Sequence, residues 1–275
     1  MKNAVKWITL LYILLILILS VAGSLSGWPS TAVEILAYAI PVSVGYVYSR
    51  RLRREREELA GVAEDENTLL SARGMLDYVP LFVPTVALVF FAAWLTSLLL
   101  GVFGKTPSAI PNAPIVDMLV AHALVPAVLE ELAFRYLPMK LLSPYSKRWC
   151  VILSAMFFAL AHLSLFQIPY ALLAGLIFII IDLACDSVLP SLVLHFLNNA
   201  VSVLWIKWGG DPGFAVWFIL AIALLAAISL VFIFFKRKTY IDALHRSLDV
   251  GEGIGDAYAP TVFAAATLML AVFNL

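Results

Sequence analysis

Two adjacent glutamates and an arginine interrupt an otherwise apolar stretch, LVPAVLEELAFRYLPM, at residues 124–139. Later apolar stretches contain His162, in FFALAHLSLF, and His195 with Asn199, in LVLHFLNNA. A carboxylate and a histidine can hold and deprotonate a water molecule. A second histidine and an amide can donate hydrogen bonds to an oxyanion. These residue types therefore predict hydrolysis of an acyl or peptide bond by an activated water.

Helical spacing separates the two glutamates. Glu131 and Arg135 are four residues apart, so we expect an ion pair on one helix face. Glu130 is rotated by about 100° from Glu131 and is free to point elsewhere. Pro126 lies one turn before Glu130 and predicts a kink that opens a wet cavity there.

The same spacing orders the other polar residues. His195 and Asn199 are four residues apart and share one face of their helix. Phe158 lies four residues before His162, and we expect its ring to shield that histidine from lipid and restrict its orientation. His162, His195 and Glu130 could alternatively supply three zinc ligands, although the helical H-E-x-x-H signature is absent.

The composition is that of an integral membrane protein. The 275 residues are 63% hydrophobic and only 13% charged, whereas soluble domains carry about 25% charged residues. Basic runs at 50–56 and 236–238 flank apolar stretches, so they indicate membrane edges and give no reason to expect a nucleic-acid partner. Cys150 and Cys185 indicate neither a disulfide framework nor a metal site.

The apolar segments predict an all-α fold, a polytopic transmembrane helix bundle of eight or nine spans in one domain, residues 1–275. We expect the spans near residues 4–23, 31–49, 77–101, 115–140, 149–166, 168–185, 188–207, 214–235 and 257–275. Four of them form the predicted catalytic core, residues 115–207.

The basic residues predict the orientation. Basic residues precede the first span and follow the second, fourth and eighth spans. If there are nine spans, all four basic clusters fall on the same side of the membrane. Because basic loops stay in the cytoplasm, the N-terminus is predicted to be cytoplasmic and the C-terminus external. Residues 50–76 form a cytoplasmic loop with a helical extension of the second span. Residues 236–256 form a cytoplasmic interfacial segment, with a short interfacial helix near 239–250.

The depth of His162 conflicts with this arrangement. His162 lies about 20 Å along its helix from Arg148, deeper than Glu130 if both helices stand upright. The fifth span must therefore tilt strongly or begin later than residue 149.

Three motifs together resemble a known family. EELAFR at 130–135 fits E-E-x-x-x-R, FALAH at 158–162 fits F-x-x-x-H, and HFLNN at 195–199 fits H-x-x-x-N. In this order, each in its own apolar segment, they resemble the CPBP family of intramembrane proteases. That family includes the type II CAAX prenyl endopeptidases and the abortive-infection proteins.

The resemblance implies a role for each matching residue. Glu130 would be the catalytic base, assisted by His162 in activating the water, and His195 with Asn199 would form the oxyanion hole. Glu131, Arg135 and Phe158 would support the site, and the mechanism would need neither a metal nor another cofactor.

The resemblance also implies partners and a location. The protein would lie in the lipid bilayer and cut a prenylated CAAX-type C-terminus, from a site that opens to the cytoplasmic side. The alternatives are a family protease for a non-prenylated leader peptide or membrane protein, a zinc-dependent membrane protease, and a non-catalytic scaffold or transporter. The absence of an internal inverted repeat argues against the transporter.

Overall fold

The computed structural model of the protein describes residues 2–22, 30–60, 72, 74–105, 113–142 and 146–247. Helices make up nearly all of these residues and none of them is in a strand, which confirms the predicted all-α class. The helices are α1 (Lys2–Ala22), α2 (Ser30–Ala60), α3 (Met75–Tyr78), α4 (Phe82–Val102), α5 (Ile115–Leu119), α6 (Val125–Glu131), α7 (Leu137–Leu141), α8 (Lys147–Ala161), α9 (Ile168–Cys185), α10 (Leu189–Trp208) and α11 (Pro212–Ser247).

Several helices have the length and composition of membrane spans. Within the described residues, four helices are long and apolar enough to cross a bilayer, and α1 contributes a shorter apolar stretch, Lys6–Leu19. The four are Met75–Val102, Ile168–Cys185, Leu189–Trp208 and Pro212–His245. The total of eight or nine spans stays a prediction, and the expected ninth span at 257–275 lies outside the described residues.

The second predicted span continues as a helix into a charged extension. Helix α2 runs for 31 residues to Ala60, and pairs such as Arg51–Glu55, with 3.2 Å between Nε and Oε1, stabilise its polar end. Helix α2 thus covers the first part of the segment 50–76, as far as Ala60, and the cytoplasmic location of this segment stays a prediction. Residues 61–71 and 73 of that segment lie outside the described residues.

Residues 115–141 form one helical rod, the broken rod, which is interrupted by two π turns. The turns are Val120–Leu124 and Leu132–Tyr136, and each ends two residues before a proline, Pro126 or Pro138. A proline provides no N–H to the carbonyl one turn earlier and its ring crowds that carbonyl, so the wider turn is a physical response to it. The distortion expected at Pro126 takes the form of a π turn.

Other helices satisfy the carbonyls that the second π turn releases. The Ser154 hydroxyl, on α8, donates to the carbonyl oxygen of Phe134, four residues before Pro138. The Tyr12 hydroxyl, on α1, donates to the carbonyl oxygen of Ala133 at 2.8 Å. In an apolar environment these carbonyls need such partners, so α1 and α8 are tied to the broken rod.

Helices α8 and α9 form an antiparallel pair beside this rod. Helix α8 has only 15 residues and ends at Ala161, so the predicted span 149–166 is too long at its C-terminal end. It begins at Lys147, and the expectation that it begins later than 149 is wrong. Leu163, with a φ of 51°, turns the chain toward α9, which has the predicted bounds 168–185.

Helix α11 continues further than predicted. It runs without a break to Ser247, so the expected separate interfacial helix near 239–250 is wrong over its described part. Contacts with α3 hold this extension: Lys236 Nζ lies 2.6 Å from Asp77 Oδ1, and the Tyr240 hydroxyl donates to the Asp77 carbonyl at 2.9 Å. These contacts favour continued helix over a break.

Candidate active site

A buried ion pair between Arg135 and Glu131 lies beside the other site residues. Arg135 Nε lies 3.2 Å from Glu131 Oε2, as the four-residue spacing predicts, and both side chains are almost completely buried. The guanidinium also lies over two aromatic faces, with its central carbon 4.0 Å from the Phe158 ring centroid and 5.2 Å from that of Phe178. The two rings exclude water and add cation–π attraction, which offsets part of the desolvation cost of the cation.

His195 lies between the two glutamates. Its Nδ1 is 2.7 Å from Glu131 Oε1, and its Nε2 is 3.6 Å from Glu130 Oε2. Glu131 is ionised because it pairs with Arg135, and a carboxylate only accepts, so Nδ1 carries a hydrogen and donates it. Nε2 is therefore the nitrogen that faces Glu130, and Glu131 fixes the orientation of the ring.

Glu130 is less enclosed than Glu131, in keeping with the expectation that Glu131 is paired and Glu130 is free. The Glu130 side chain is 13% exposed, whereas that of Glu131 is 2% exposed. At 3.6 Å the contact from Glu130 to His195 is longer than a direct hydrogen bond. Glu130 is thus the carboxylate that has remaining acceptor capacity and the greater exposure.

Phe158 connects the two histidines. Its ring packs edge-on against His162 at 5.0 Å and against His195 at 5.4 Å between centroids, which keeps the histidine rings within about 10 Å of each other. The His162 Nδ1 also lies 2.9 Å from the Phe158 carbonyl oxygen. Because that oxygen only accepts, Nδ1 carries a hydrogen and the neutral ring has its acceptor at Nε2. His162 thus contacts both the ring and the carbonyl oxygen of Phe158, and the shielding of His162 from lipid stays a prediction.

His162 and Glu130 do not meet directly. Within the described part of the chain, His162 forms no hydrogen bond or ion pair with Glu130, and its link to the glutamates runs through Phe158 and His195. His162 is the residue that follows the last turn of α8. The sequence places His162 deeper in the membrane than Glu130, and in the structure these two side chains are accordingly separated.

Asn199 lies one turn beyond His195 on α10 and is half-buried. Its Oδ1 accepts a hydrogen bond of 3.4 Å from Asn198 Nδ2, which leaves both hydrogens of its own amide nitrogen for donation. No direct bond joins Asn199 to Glu130 or His195 among the described residues. Its amide nitrogen is thus a donor that no group within the described part of the chain uses.

Glu34 is a carboxylate near the site that the sequence analysis missed. It lies on α2, one turn before the buried Tyr38, and is half-buried itself. It is close enough to Glu130 for the two carboxylates to interact electrostatically. The available signal was that Glu34 is the only charged residue in the predicted span 31–49, where an ionisable residue indicates a function.

The site residues do not have the arrangement of a zinc centre. No three His, Cys, Asp or Glu side chains in the described ranges are placed to hold a metal ion together. His195 directs both ring nitrogens at carboxylates, and His162 uses Nδ1 on a backbone carbonyl. The donor set therefore fits acid–base chemistry better than metal ligation.

A comparison with protein families identifies the same region. Residues 112–201 match the family model described as Type II CAAX prenyl endopeptidase Rce1-like. The match covers the broken rod, α8, α9 and the first part of α10, which together carry all three motifs. It confirms the family resemblance that the motifs indicate. No curated protein and no solved structure matches the chain.

Proposed function

We propose that this chain, with its Rce1-like CAAX endopeptidase region embedded in a lipid bilayer, is an intramembrane endopeptidase in which Glu130 activates a water. The observation that carries the proposal is the placement of His195 between a buried, paired Glu131 and a more accessible Glu130. Such a pair of carboxylates with different surroundings allows one to hold the histidine while the other exchanges a proton.

In the proposed reaction, Glu130 takes a proton from water while the hydroxide bonds to the carbonyl carbon of the scissile peptide. His162, with Nδ1–H donated to Phe158, accepts the second water hydrogen at Nε2 and orients the molecule. The peptide C–N bond then breaks, and Glu130 returns its proton to the leaving amine. No group of the protein becomes covalently attached to the substrate.

The oxyanion formed in this reaction needs donors. His195 already donates Nδ1–H to Glu131, so it can donate from Nε2 only as an imidazolium, whose charge the flanking carboxylates balance. The free amide of Asn199, one turn further along α10, is the second donor. Two such donors contribute typically several kcal/mol of transition-state stabilisation.

The decisive experiment is cleavage of a farnesylated peptide with a CAAX C-terminus by the purified protein in lipid vesicles. Glu130→Ala and His162→Ala should each reduce kcat/KM by about 10²–10⁴-fold, because each removes a proton-handling group. Asp117→Asn is the matched control, since Asp117 is an exposed carboxylate on the same helical rod. Normal cleavage by Glu130→Ala would show that the glutamate mechanism is wrong.

The substrate is tested by the same assay with a second peptide. We propose a prenylated substrate, cut on the cytosolic side of the membrane, so the farnesylated peptide should be cleaved and the identical unmodified peptide should not. Equal cleavage of both peptides would instead identify a protease for leader peptides or membrane proteins. Cleavage of neither would favour the scaffold or transporter.

The absence of a metal requirement is also part of the proposal. Prolonged treatment with a strong chelator should leave the cleavage rate unchanged, because Glu130 and the histidines act on the water directly. Loss of activity on chelation, with recovery on addition of Zn²⁺, would replace this mechanism by a zinc-dependent one.

A further inference from the structure

Asp182 is a buried carboxylate that the proposed reaction does not use. It lies one turn before the end of α9, and its side chain is completely buried. Its Oδ1 accepts a hydrogen bond of 3.0 Å from the backbone N–H of Ser191 on α10, and its carbonyl oxygen accepts one of 3.1 Å from Ser187 N–H. Asp182 therefore ties α9 to both the turn and the following helix.

The first N–H groups of α10 can be accounted for individually. Leu189 N–H donates to Ser187 Oγ at 3.2 Å, Pro190 has no N–H, and Leu192 N–H donates to the Val188 carbonyl at 3.1 Å. The remaining group is Ser191 N–H, and Asp182 Oδ1 is its acceptor. Since Ser191 is buried, loss of that acceptor leaves an orphaned donor at the helix start.

This anchored turn lies directly before the catalytic histidine. Ser191 and His195 are four residues apart and lie on one face of α10. Helix α9 contributes Phe178, one turn before Asp182, whose ring centroid is 5.6 Å from that of His195. The position of α10 against α9 thus determines where His195 meets Glu131.

The carboxylate also belongs to the buried charge cluster of the site. It is repelled by Glu131 and attracted by Arg135, which are themselves paired. A carboxylate at a helix N-terminus is stabilised by the helix dipole, which offsets part of its burial cost. Its Oδ2 has no hydrogen-bond partner among the described residues, so Oδ1 is the atom that holds α10.

We infer that Asp182 is a positioning residue: by accepting the Ser191 N–H it fixes the register of α10 on α9 and holds His195 between Glu130 and Glu131. Asp182 does not touch the reacting atoms. The inference rests on the proposed function, because it concerns the efficiency of that reaction.

The test compares two substitutions at this position. Asp182→Ala removes the acceptor, and kcat should fall by about 10–100-fold with KM within about twofold, because His195 is displaced and substrate binding is not. Asp182→Asn keeps an acceptor oxygen, while an amide nitrogen replaces the partnerless Oδ2 and the charge is lost. Because the acceptor oxygen is what holds α10, its kcat should stay within about threefold of the original protein. A near-normal kcat in Asp182→Asn, together with a reduced kcat in Asp182→Ala, would show that the acceptor oxygen at this position is what the reaction needs.

The matched control is Ser187→Ala, which removes the acceptor of Leu189 N–H in the same turn but leaves the bond to Ser191. It should lower the melting temperature about as much as Asp182→Ala, with kcat within about twofold of the original protein. Hydrogen–deuterium exchange of a peptide that spans 188–194 should rise for Asp182→Ala and not for Asp182→Asn. That measurement does not depend on activity.

Three results would overturn the inference. The first is an unchanged kcat in Asp182→Ala. The second is an equal loss of kcat in Asp182→Asn and Asp182→Ala. The third is a loss of kcat in Ser187→Ala as large as that in Asp182→Ala, when both variants have the same melting temperature. Failure of the proposed function is distinguishable, because it appears as normal cleavage by Glu130→Ala whatever happens at Asp182.

Discussion

Glu130 and Glu131 are neighbours in the chain, but their environments differ. Glu131 is held by Arg135 on one side and His195 on the other, so both of its oxygens face cationic or donor groups. Among the described residues, the polar contact of Glu130 is with His195 Nε2 at 3.6 Å, and its side chain is more exposed than that of Glu131. At this scale Glu131 stabilises the structure of the site, and Glu130 is available for chemistry.

The two glutamates should therefore differ in their effects on stability. Glu131→Gln leaves the buried Arg135 cation without its partner and should lower the free energy of unfolding by about 3–5 kcal/mol. Glu130→Gln breaks no close contact and should change it by less than about 0.5 kcal/mol. Thermal unfolding in detergent measures both.

The double variant Glu131→Gln with Arg135→Met is the control for this explanation. Because it removes the cation as well, it should recover part of the lost stability. If Glu131→Gln melts at the temperature of the original protein, the ion pair does not stabilise the fold.

At the scale of helices, the close approach of α8 and α9 positions the aromatic ring on which the site depends. A Cβ added at Gly175 would lie 3.1 Å from both Ala155 Cα and Phe158 Cδ1. Phe158 in turn contacts Arg135, His162 and His195. The absence of a side chain at Gly175 lets the helices pack at this distance and sets the ring against all three.

A large side chain at this position should damage stability and activity together. Gly175→Leu should lower the free energy of unfolding by about 1–3 kcal/mol through overpacking, and should reduce peptide cleavage because Phe158 is displaced. Gly101→Leu on α4 is the matched control, since no atom lies within 4 Å of a Cβ added there. Equal stability and cleavage in both variants would show that the close approach is unimportant.

At the scale of the molecule, the charged helix ends predict the orientation in the bilayer. The polar end of α2 and the basic end of α11 lie at the ends of helices that we expect to finish on the cytoplasmic side. Ser191 and Asp182 flank the turn between α9 and α10, which the same orientation places on that side. The proposed site is then reached from the cytosol.

Labelling of single cysteines can measure this orientation. In a protein with Cys150 and Cys185 replaced by alanine, cysteines introduced at Arg54 and Arg237 should react with a membrane-impermeant reagent only from the cytoplasmic side. A cysteine at Lys105 should react only from the outside. Labelling of Arg54 and Arg237 from opposite sides would contradict the predicted topology, whereas joint labelling from outside would invert it.

The sequence by itself determined the relations that lie within one helix. The Glu131–Arg135 pair and the packing of Phe158 on His162 follow from a four-residue spacing, which the backbone geometry of a helix brings onto one face. The π turns before Pro126 and Pro138 also have a local cause. The helical class and the membrane setting follow from the apolar composition.

Only the tertiary structure decided which helices meet and at what depth. His195 and Glu131 are 64 residues apart in the chain, and their bond depends on how α10 packs against the broken rod. The same packing separates His162 from Glu130, brings Glu34 toward Glu130 and places Asp182 under the first turn of α10. Helical spacing cannot predict these relations, because they depend on the distance and register between helices rather than on the geometry of any one helix.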